Sequence, residues 1–305
     1  VHGSVLVRDG KVWCAAGRSP YLDGGIRVYA LEAATGKVVA EQTILARGPQ
    51  TFNTSQPEPS GATTAPGMPD ILSASGELVY MRWMAFDESA RIVAGRPHLF
   101  SATGLLDDTW WHRTYWQYGT WMRGGFGGWP QAAMQMPAGR IMVEDSDRLF
   151  SFARTKYDAG NGGNVHAGHI GVVKQDYQDM GRVAPEKNPL WLIAVAKPQP
   201  SKVARRDLSG KIQWRTSVPM LVRAMLQADQ TLFIAGPLAK TNNQGLEELE
   251  TNQPGILWAV STAEGKKLAE YKLPSAPVFD GMAAAGNSLY LTTKDGTVQC
   301  LGGNE

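Results

Sequence analysis

Cysteine is scarce in this 305-residue chain: Cys14 and Cys300 are the only two, and the formal net charge is only +2. Such low cysteine usage neither requires nor excludes an oxidising compartment, and no disulfide framework can be read from it. The two are read as small apolar residues buried in separate strands, with a pairing left open should a ring close between the first repeat and the last. So small a charge provides no clustered basic face, even with Arg205 and Arg206 adjacent, and this argues against nucleic acid as a partner. No run of about 18 apolar residues occurs, so no transmembrane helix is expected. A secretory leader is also missing. The chain opens Val1-His2-Gly3-Ser4 without Met and is read as a processed product or a piece of a longer protein. Nucleophile elbow, P-loop, dinucleotide fingerprint and Cys-x-x-Cys-His haem site are all absent.

What is present points to strands. Hydrophobic residues at 43% and charged residues at 19% exclude a mainly disordered chain. The 34 glycines and 10 tryptophans, spread among short apolar runs, fit an all-β architecture with many turns.

Internal repeats confirm that direction. Val28-Tyr29-Ala30-Leu31 leads into Glu32-Ala33-Ala34-Thr35-Gly36-Lys37-Val38-Val39-Ala40-Glu41. Leu257-Trp258-Ala259-Val260 leads into Ser261-Thr262-Ala263-Glu264-Gly265-Lys266-Lys267-Leu268-Ala269-Glu270, and the two align without gaps. A shorter copy is Asp207-Leu208-Ser209-Gly210-Lys211-Ile212-Gln213-Trp214. Each reads as strand, tight turn, strand, with the glycine supplying a positive φ. A second element, a turn followed by a short apolar strand, recurs at Asp9–Ala16, Ser75–Met81, Ala138–Val143, Ala228–Ile234 and Ala285–Leu291, which is a hairpin pattern. These units predict a β-propeller, as one domain over 1–305, of about six (six to eight) four-stranded antiparallel blades. They fall near 1–44, 69–118, 131–157, 168–216, 218–273 and 277–301. The last blade ends in Thr297-Val298-Gln299-Cys300-Leu301, which reads as its third strand, so its outer strand is missing.

The three turn segments resemble the quinoprotein-like repeat, Ala-x-Asp-x-x-Thr-Gly-Lys-x-x-Trp, of propellers related to pyrroloquinoline quinone (PQQ) dehydrogenases and outer-membrane assembly lipoproteins. Asp207, Ser209, Gly210, Lys211 and Trp214 match it; Ala40 and Ala269 stand where the other two copies need the Trp. Residues 15–25 and 105–116 are similar to large PQQ-like repeat proteins of planctomycete-type bacteria. The resemblance implies an extracytoplasmic protein, periplasmic or secreted. The dehydrogenases of this group carry PQQ with Ca²⁺ held by Glu, Asn and Asp; no matching set is found in this chain, so no cofactor is expected and PQQ with Ca²⁺ is the alternative.

The residues richest in binding chemistry lie in an aromatic-rich insertion at 105–131. It holds Asp107, Asp108, Trp110, Trp111, His112, Arg113, Tyr115 and Trp116, then Tyr118, Trp121, Arg123, Phe126 and Trp129. Long connections on a rigid scaffold tend to carry function. Trp and Arg are frequent binding hot spots, and aromatic faces suit sugars and planar ligands. The bland alternative is that these rings pack the insertion onto its neighbours. Tyr21 and Asp23, between two strands of the first blade, are a further ligand-binding candidate. His166 and His169 have a spacing that permits a metal, though without a supporting Cys or Glu, so no metal is expected. The neighbouring carboxylates Asp107-Asp108 and Glu144-Asp145 point to opposite faces of a strand and form no acid–base dyad.

No catalytic residue is assigned. The reading is a non-enzymatic binding or scaffolding propeller, expected as a monomeric domain, for a protein partner or a carbohydrate or other small molecule. The alternative is an enzyme, PQQ/Ca-dependent or glycan-active, with its site at one mouth of the channel.

Overall fold

The computed structural model describes residues 5–18, 20, 23–45, 71–101, 116–119, 137–153, 191–198, 211–238 and 253–302. Every regular element among them is a β-strand. The fold class is all-β, in antiparallel sheets of β-propeller type whose strands follow one another in chain order. The chain divides into two compact units, Val1–Ala132 and Ala133–Glu305.

The first unit holds two four-stranded blades. Blade 1 is β1 (Leu6–Arg8), β2 (Lys11–Ala16), β3 (Ile26–Glu32) and β4 (Val38–Ile44); blade 2 is β5 (Leu72–Ser75), β6 (Leu78–Met81), β7 (Met84–Phe86) and β8 (Ile92–Val93). Alternation places Trp13, Ala15, Val28 and Ala30 on one face of blade 1, where they pack with Val79, Met81, Met84 and Phe86 of blade 2. A separate ribbon follows, β9 (His98–Ser101) paired antiparallel with β10 (Trp116–Gly119).

The second unit opens with the two-residue β11 (Ala138–Gly139) and holds three blades. Blade 3 is β12 (Ile141–Glu144), β13 (Arg148–Ala153), β14 (Trp191–Ala196) and β15 (Ile212–Thr216). Blade 4 is β16 (Ala224–Ala228), β17 (Thr231–Pro237), β18 (Gly255–Ser261) and β19 (Lys267–Leu273). Blade 5 has three strands, β20 (Pro277–Ala285), β21 (Ser288–Thr293) and β22 (Val298–Gly302). Phe150, Phe152 and Leu192 of blade 3 pack with Met225, Leu232 and Ile234 of blade 4. Leu257 and Leu273 of blade 4 pack with Leu289 and Leu291 of blade 5.

Among the described residues there are thus five blades, where about six were expected. The segments expected as a third and a fourth blade form a single sheet, because Leu149–Phe152 of β13 pair directly with Leu192–Val195 of β14 across the intervening 154–190. The expected second blade, 69–118, divides into blade 2 and the β9–β10 ribbon. Ala138-Gly139, expected as a hairpin turn, is strand β11 instead.

The repeated sequence produces a repeated geometry. In blades 1, 3 and 4 the third and fourth strands share a bulge, between Ala30 and Leu31, Ala194 and Val195, and Ala259 and Val260. The turns of blades 1 and 4 are closed alike, by Gly36 N–H to the Glu32 carbonyl (2.8 Å) and Gly265 N–H to the Ser261 carbonyl (2.9 Å). Gly36 and Gly265 both sit at positive φ, +71° and +69°.

The tryptophan of the repeat acts between blades. Trp214 on β15 donates its Nε1–H to the Thr262 carbonyl of blade 4 at 2.9 Å. Its ring lies where a Cβ on Gly265 would be, and Thr216 Oγ1 donates to the Gly265 carbonyl at 3.0 Å. Arg148 adds a second donor to Thr262 (2.8 Å) while paired with Asp145 (2.7 Å). Blade 2, facing Ala40, has no such glycine turn: Asp87 closes it by accepting from Ser89 N–H and Arg91 N–H, both at 2.9 Å. Ala40, which replaces the tryptophan in blade 1, therefore matches a different neighbour.

Truncating Trp214 to Ala removes a ring and a hydrogen bond from this junction, and is expected to lower unfolding free energy by about 3 kcal/mol. Trp214→Phe keeps the ring contact and loses the N–H, costing about 1 kcal/mol. Denaturant unfolding of both variants checks this; equal, near-zero effects would remove the junction from any account of stability.

Candidate functional site

The aromatic-rich segment has a defined mount. Its first part, 102–115, joins β9 to β10, and the pair Trp116↔Ser101 holds its two ends side by side. Below that pair the ribbon is buried: Trp116 is 8% exposed, and Gln117, Phe100 and His98 are fully buried. A buried ribbon fixes where a long connection emerges and leaves its chemistry to the connection.

His98 locks the base. Its Nε2 lies 2.7 Å from the Arg82 carbonyl and its Nδ1 lies 2.8 Å from the Arg96 carbonyl. Its ring stacks on Tyr80 with centroids 3.5 Å apart at 14°. The Tyr80 hydroxyl accepts from Arg96 N–H at 3.3 Å. A neutral imidazole donates from one nitrogen only, so both carbonyls are satisfied together only by the imidazolium. Burial outweighs that pull and holds the His98 pKa below the ordinary histidine value.

The turn that His98 grips is itself unusual. Arg82 and Trp83 link β6 to β7 as a two-residue turn, with Met81 paired to Met84 and Arg82 at φ +54°. Asn-Gly chemistry is usual there. Instead Arg82 and Trp83 are both buried, the guanidinium lies 5.9 Å over the Trp83 ring, and Trp83 meets Phe100 edge-on at 6.4 Å. None of Tyr80, Arg82, His98 or Gln117 was singled out from the sequence; the one usable clue was a bulky pair, Arg82-Trp83, at a hairpin tip.

Of the sequence-based candidates, Trp116 lies in β10 with its ring buried, a packing position, and Asp23 lies exposed at φ +54° in the turn before β3. Tyr21, Asp107, Asp108, Trp110, Trp111, His112, Arg113 and Tyr115 lie outside the described residues, as do His166 and His169. Glu144 and Asp145 have separate structural partners, Lys197 at 3.1 Å and Arg148 at 2.7 Å. Cys14 on β2 is half-buried, and Cys300 on β22 is exposed rather than buried; both are free thiols. Cys300 is exposed because β22 has no strand on its outer side among the described residues.

One further group concerns chemistry. Asp280 lies in β20 at φ +56°, where the register with β21 shifts between Pro277 and Met282 and its N–H donates to the Arg223 carbonyl at 2.8 Å. Its side chain is open to solvent by surface area, yet surrounding protein desolvates it enough to raise its carboxyl to about 6. The open area lets water screen the charge, so the energetic consequence is small. Among the described residues no three His, Cys, Asp or Glu side chains gather where a metal ion could be held.

No family model matches the chain, and no curated protein matches it. Among solved structures it is similar to BamB from Moraxella catarrhalis, at 10% identity over 97% of this chain and 70% of that one, with a TM-score of 0.40. It is also similar to the quinohemoprotein alcohol dehydrogenase ADHIIG from Pseudomonas putida HK5, at 13% identity over 98% and 57% of the two chains, TM-score 0.38. A third is a DUF4221 family member from Bacteroides vulgatus, at 8% identity over 96% and 87%, TM-score 0.36.

Two pH dependences follow from the shifted groups. Because the folded pKa of His98 is depressed, the unfolded chain takes up the proton first as pH falls. Its contribution is complete above about 6.5 and declines below, by at most about 1.4 kcal/mol per pH unit. Stability of wild type minus His98→Gln, measured by denaturant melts, should drop between pH 7 and 5; a flat difference would count against the buried neutral ring. Asp280 has the opposite sign. Its raised pKa means the folded state holds the proton longer, so stability is lost as pH rises from about 4, the ordinary carboxyl value, to about 6. Asp280→Asn should melt higher than wild type at pH 7.5 and equally at pH 4; equal melting at both would show that the carboxyl is not desolvated.

Proposed function

We propose that this chain is a non-enzymatic binding β-propeller, extracytoplasmic, whose contact surface is the aromatic-rich segment mounted between β9 and β10. The observation that carries the reading is the mount itself: a ribbon whose His98, Phe100, Trp116, Gln117 and Tyr118 are buried, clamped by His98 on the Arg82–Trp83 turn. Such a base lets Trp110, Trp111, His112, Arg113 and Tyr115 be offered to a ligand without disturbing the blades. Rings beside hydrogen-bonding groups suit the apolar face and hydroxyl rim of a sugar, or an aromatic-poor groove on a protein partner.

The carboxylates of the described residues also support binding over catalysis. Asp87 is engaged by Arg91, Asp145 by Arg148, Glu144 by Lys197 and Glu270 by Lys267. Asp280 stands apart from these pairs. Its carboxyl near 6 suits a general acid and favours a glycan-active enzyme as the second reading.

A bound ligand raises the melting temperature by linkage. Wild type should therefore shift with one member of a polysaccharide panel, or with a partner protein, and the double variant Trp110→Ala/Trp111→Ala should lose that shift while melting normally alone. Retention of the full shift by the double variant rules out the segment as the contact. A shift with PQQ and Ca²⁺ instead establishes the dehydrogenase-like alternative.

A further inference from the structure

Four Asp-Gly steps occur in the chain, at 9–10, 23–24, 280–281 and 295–296. Such a step is open to one reaction that bulkier neighbours hinder. The glycine nitrogen, with no side chain beside it, attacks the aspartate side-chain carbon and closes a five-membered imide. The reaction runs mainly through the protonated carboxyl, whose hydroxyl can leave as water. Its rate at each step therefore depends on how the fold treats that carboxyl and the peptide that follows it.

The fold treats the four carboxyls differently. Asp9 is paired with Arg8 at 2.9 Å. Asp295 accepts from the Thr293 hydroxyl at 2.7 Å and from Thr297 N–H at 3.1 Å, which hold its carboxyl below the ordinary range. Asp23 is exposed to water in the turn before β3. Asp280 has the carboxyl that surrounding protein raises to about 6. At about pH 7 roughly a tenth of such a group is protonated, against roughly a thousandth of an ordinary aspartate.

The backbone agrees with the side chain. The register of β20 with β21 passes from Pro277↔Thr293 directly to Met282↔Leu291, which leaves 278–281 outside the ladder. Asp280 sits there at φ +56°, its own N–H tied to the Arg223 carbonyl at 2.8 Å. That bond anchors the step from its upstream side and does not use the Gly281 nitrogen. A side chain at Gly281 would strike Val278, so the position keeps its glycine. The strands packed on β20 are β16, β17 and β21. Their charged or titratable groups are Arg223 and Asp229 at the two ends of β16, Tyr290 on β21 and Lys294 after it. Burial, rather than any of these, raises the Asp280 carboxyl.

We propose that Asp280-Gly281 is a site of spontaneous backbone modification, at which Asp280 becomes isoaspartate. In the first step the Gly281 nitrogen bonds to the Asp280 side-chain carbon. The proton of that nitrogen leaves with the carboxyl hydroxyl as water. Water then adds to one of the two imide carbonyls. Addition at the side-chain carbonyl restores aspartate. Addition at the main-chain carbonyl breaks its bond to nitrogen, so the chain runs on through the side-chain methylene and an α-carboxylate is left free. Water is the only co-reactant. The aromatic segment plays no part in this.

The test is to incubate the whole folded chain and map its peptides for isoaspartate, which keeps the mass of aspartate and resists a protease that cuts before aspartate. Deamidation at Asn161-Gly162 changes the mass and is thereby kept apart. Isoaspartate at Asp280 should accumulate several-fold or more faster than at Asp9, Asp23 or Asp295. Between about pH 5 and 6 its rate in the folded chain should change by about twofold, whereas in denaturant, where the carboxyl is ordinary, it should fall about tenfold. The four rates should converge in denaturant, where only local sequence acts. Equal or slower accumulation at Asp280 in the folded chain overturns the proposal. So does an advantage that persists in denaturant, or the same pH profile in both states.

Discussion

One backbone hydrogen bond recurs in every blade built on the repeat, and the rest of the blade is arranged around it. The residue after the third strand donates its N–H to the tip of an earlier hairpin: Ala33 to Gly10 (2.9 Å), Lys197 to Asp147 (2.7 Å) and Thr262 to Gln230 (3.0 Å). The bond fixes where the next turn starts, and that turn sets the fourth strand. In blade 4 the same Thr262 accepts from Trp214 and Arg148 of blade 3, and its hydroxyl donates to Gln230 at 3.0 Å. A turn closed within one blade thus becomes the docking point for its neighbour. A buried peptide group has to be satisfied somewhere, and here the satisfaction is shared between adjacent sheets.

Much of this was legible from the sequence, because local and non-local requirements coincide in the repeats. The gapless match of 28–41 with 257–270 reflects the same bulge and the same turn hydrogen bonds in both places. Blade 3 was harder to read. Its second and third strands are separated by 154–190, and the strength of Leu149–Phe152 as an apolar run does not say which later run it will pair with. Strand pairing over such a gap is decided by packing on Met225, Leu232 and Ile234, which no local pattern encodes.

The proposed contact segment was legible in composition, and its support was not. Eight aromatic rings in 107–131 draw the eye, but His98, Tyr80 and Gln117 lie in strands of only four residues, too short to carry a readable alternation. The role of His98 comes from stacking on Tyr80 and from two carbonyls, Arg96 nearby and Arg82 in a turn 16 residues away. Trp116 belongs with them: it shares its residue type with the rest of the segment and shares its surroundings with the buried base. An aromatic residue in such a segment can thus be part of the packing beneath a connection, as Trp116 is.

The two repeat glycines carry a last consequence. Gly36 and Gly265 have almost the same φ, yet a side chain at Gly36 would meet nothing within 4 Å, whereas one at Gly265 would run into the Trp214 ring. At the first position only the backbone conformation is at stake, and an asparagine, which tolerates the left-handed region, is an acceptable replacement. At the second the neighbouring blade already occupies the space. The first glycine can therefore give way to asparagine alone, while the second can change only together with its tryptophan, so a single repeat consensus conceals two different constraints.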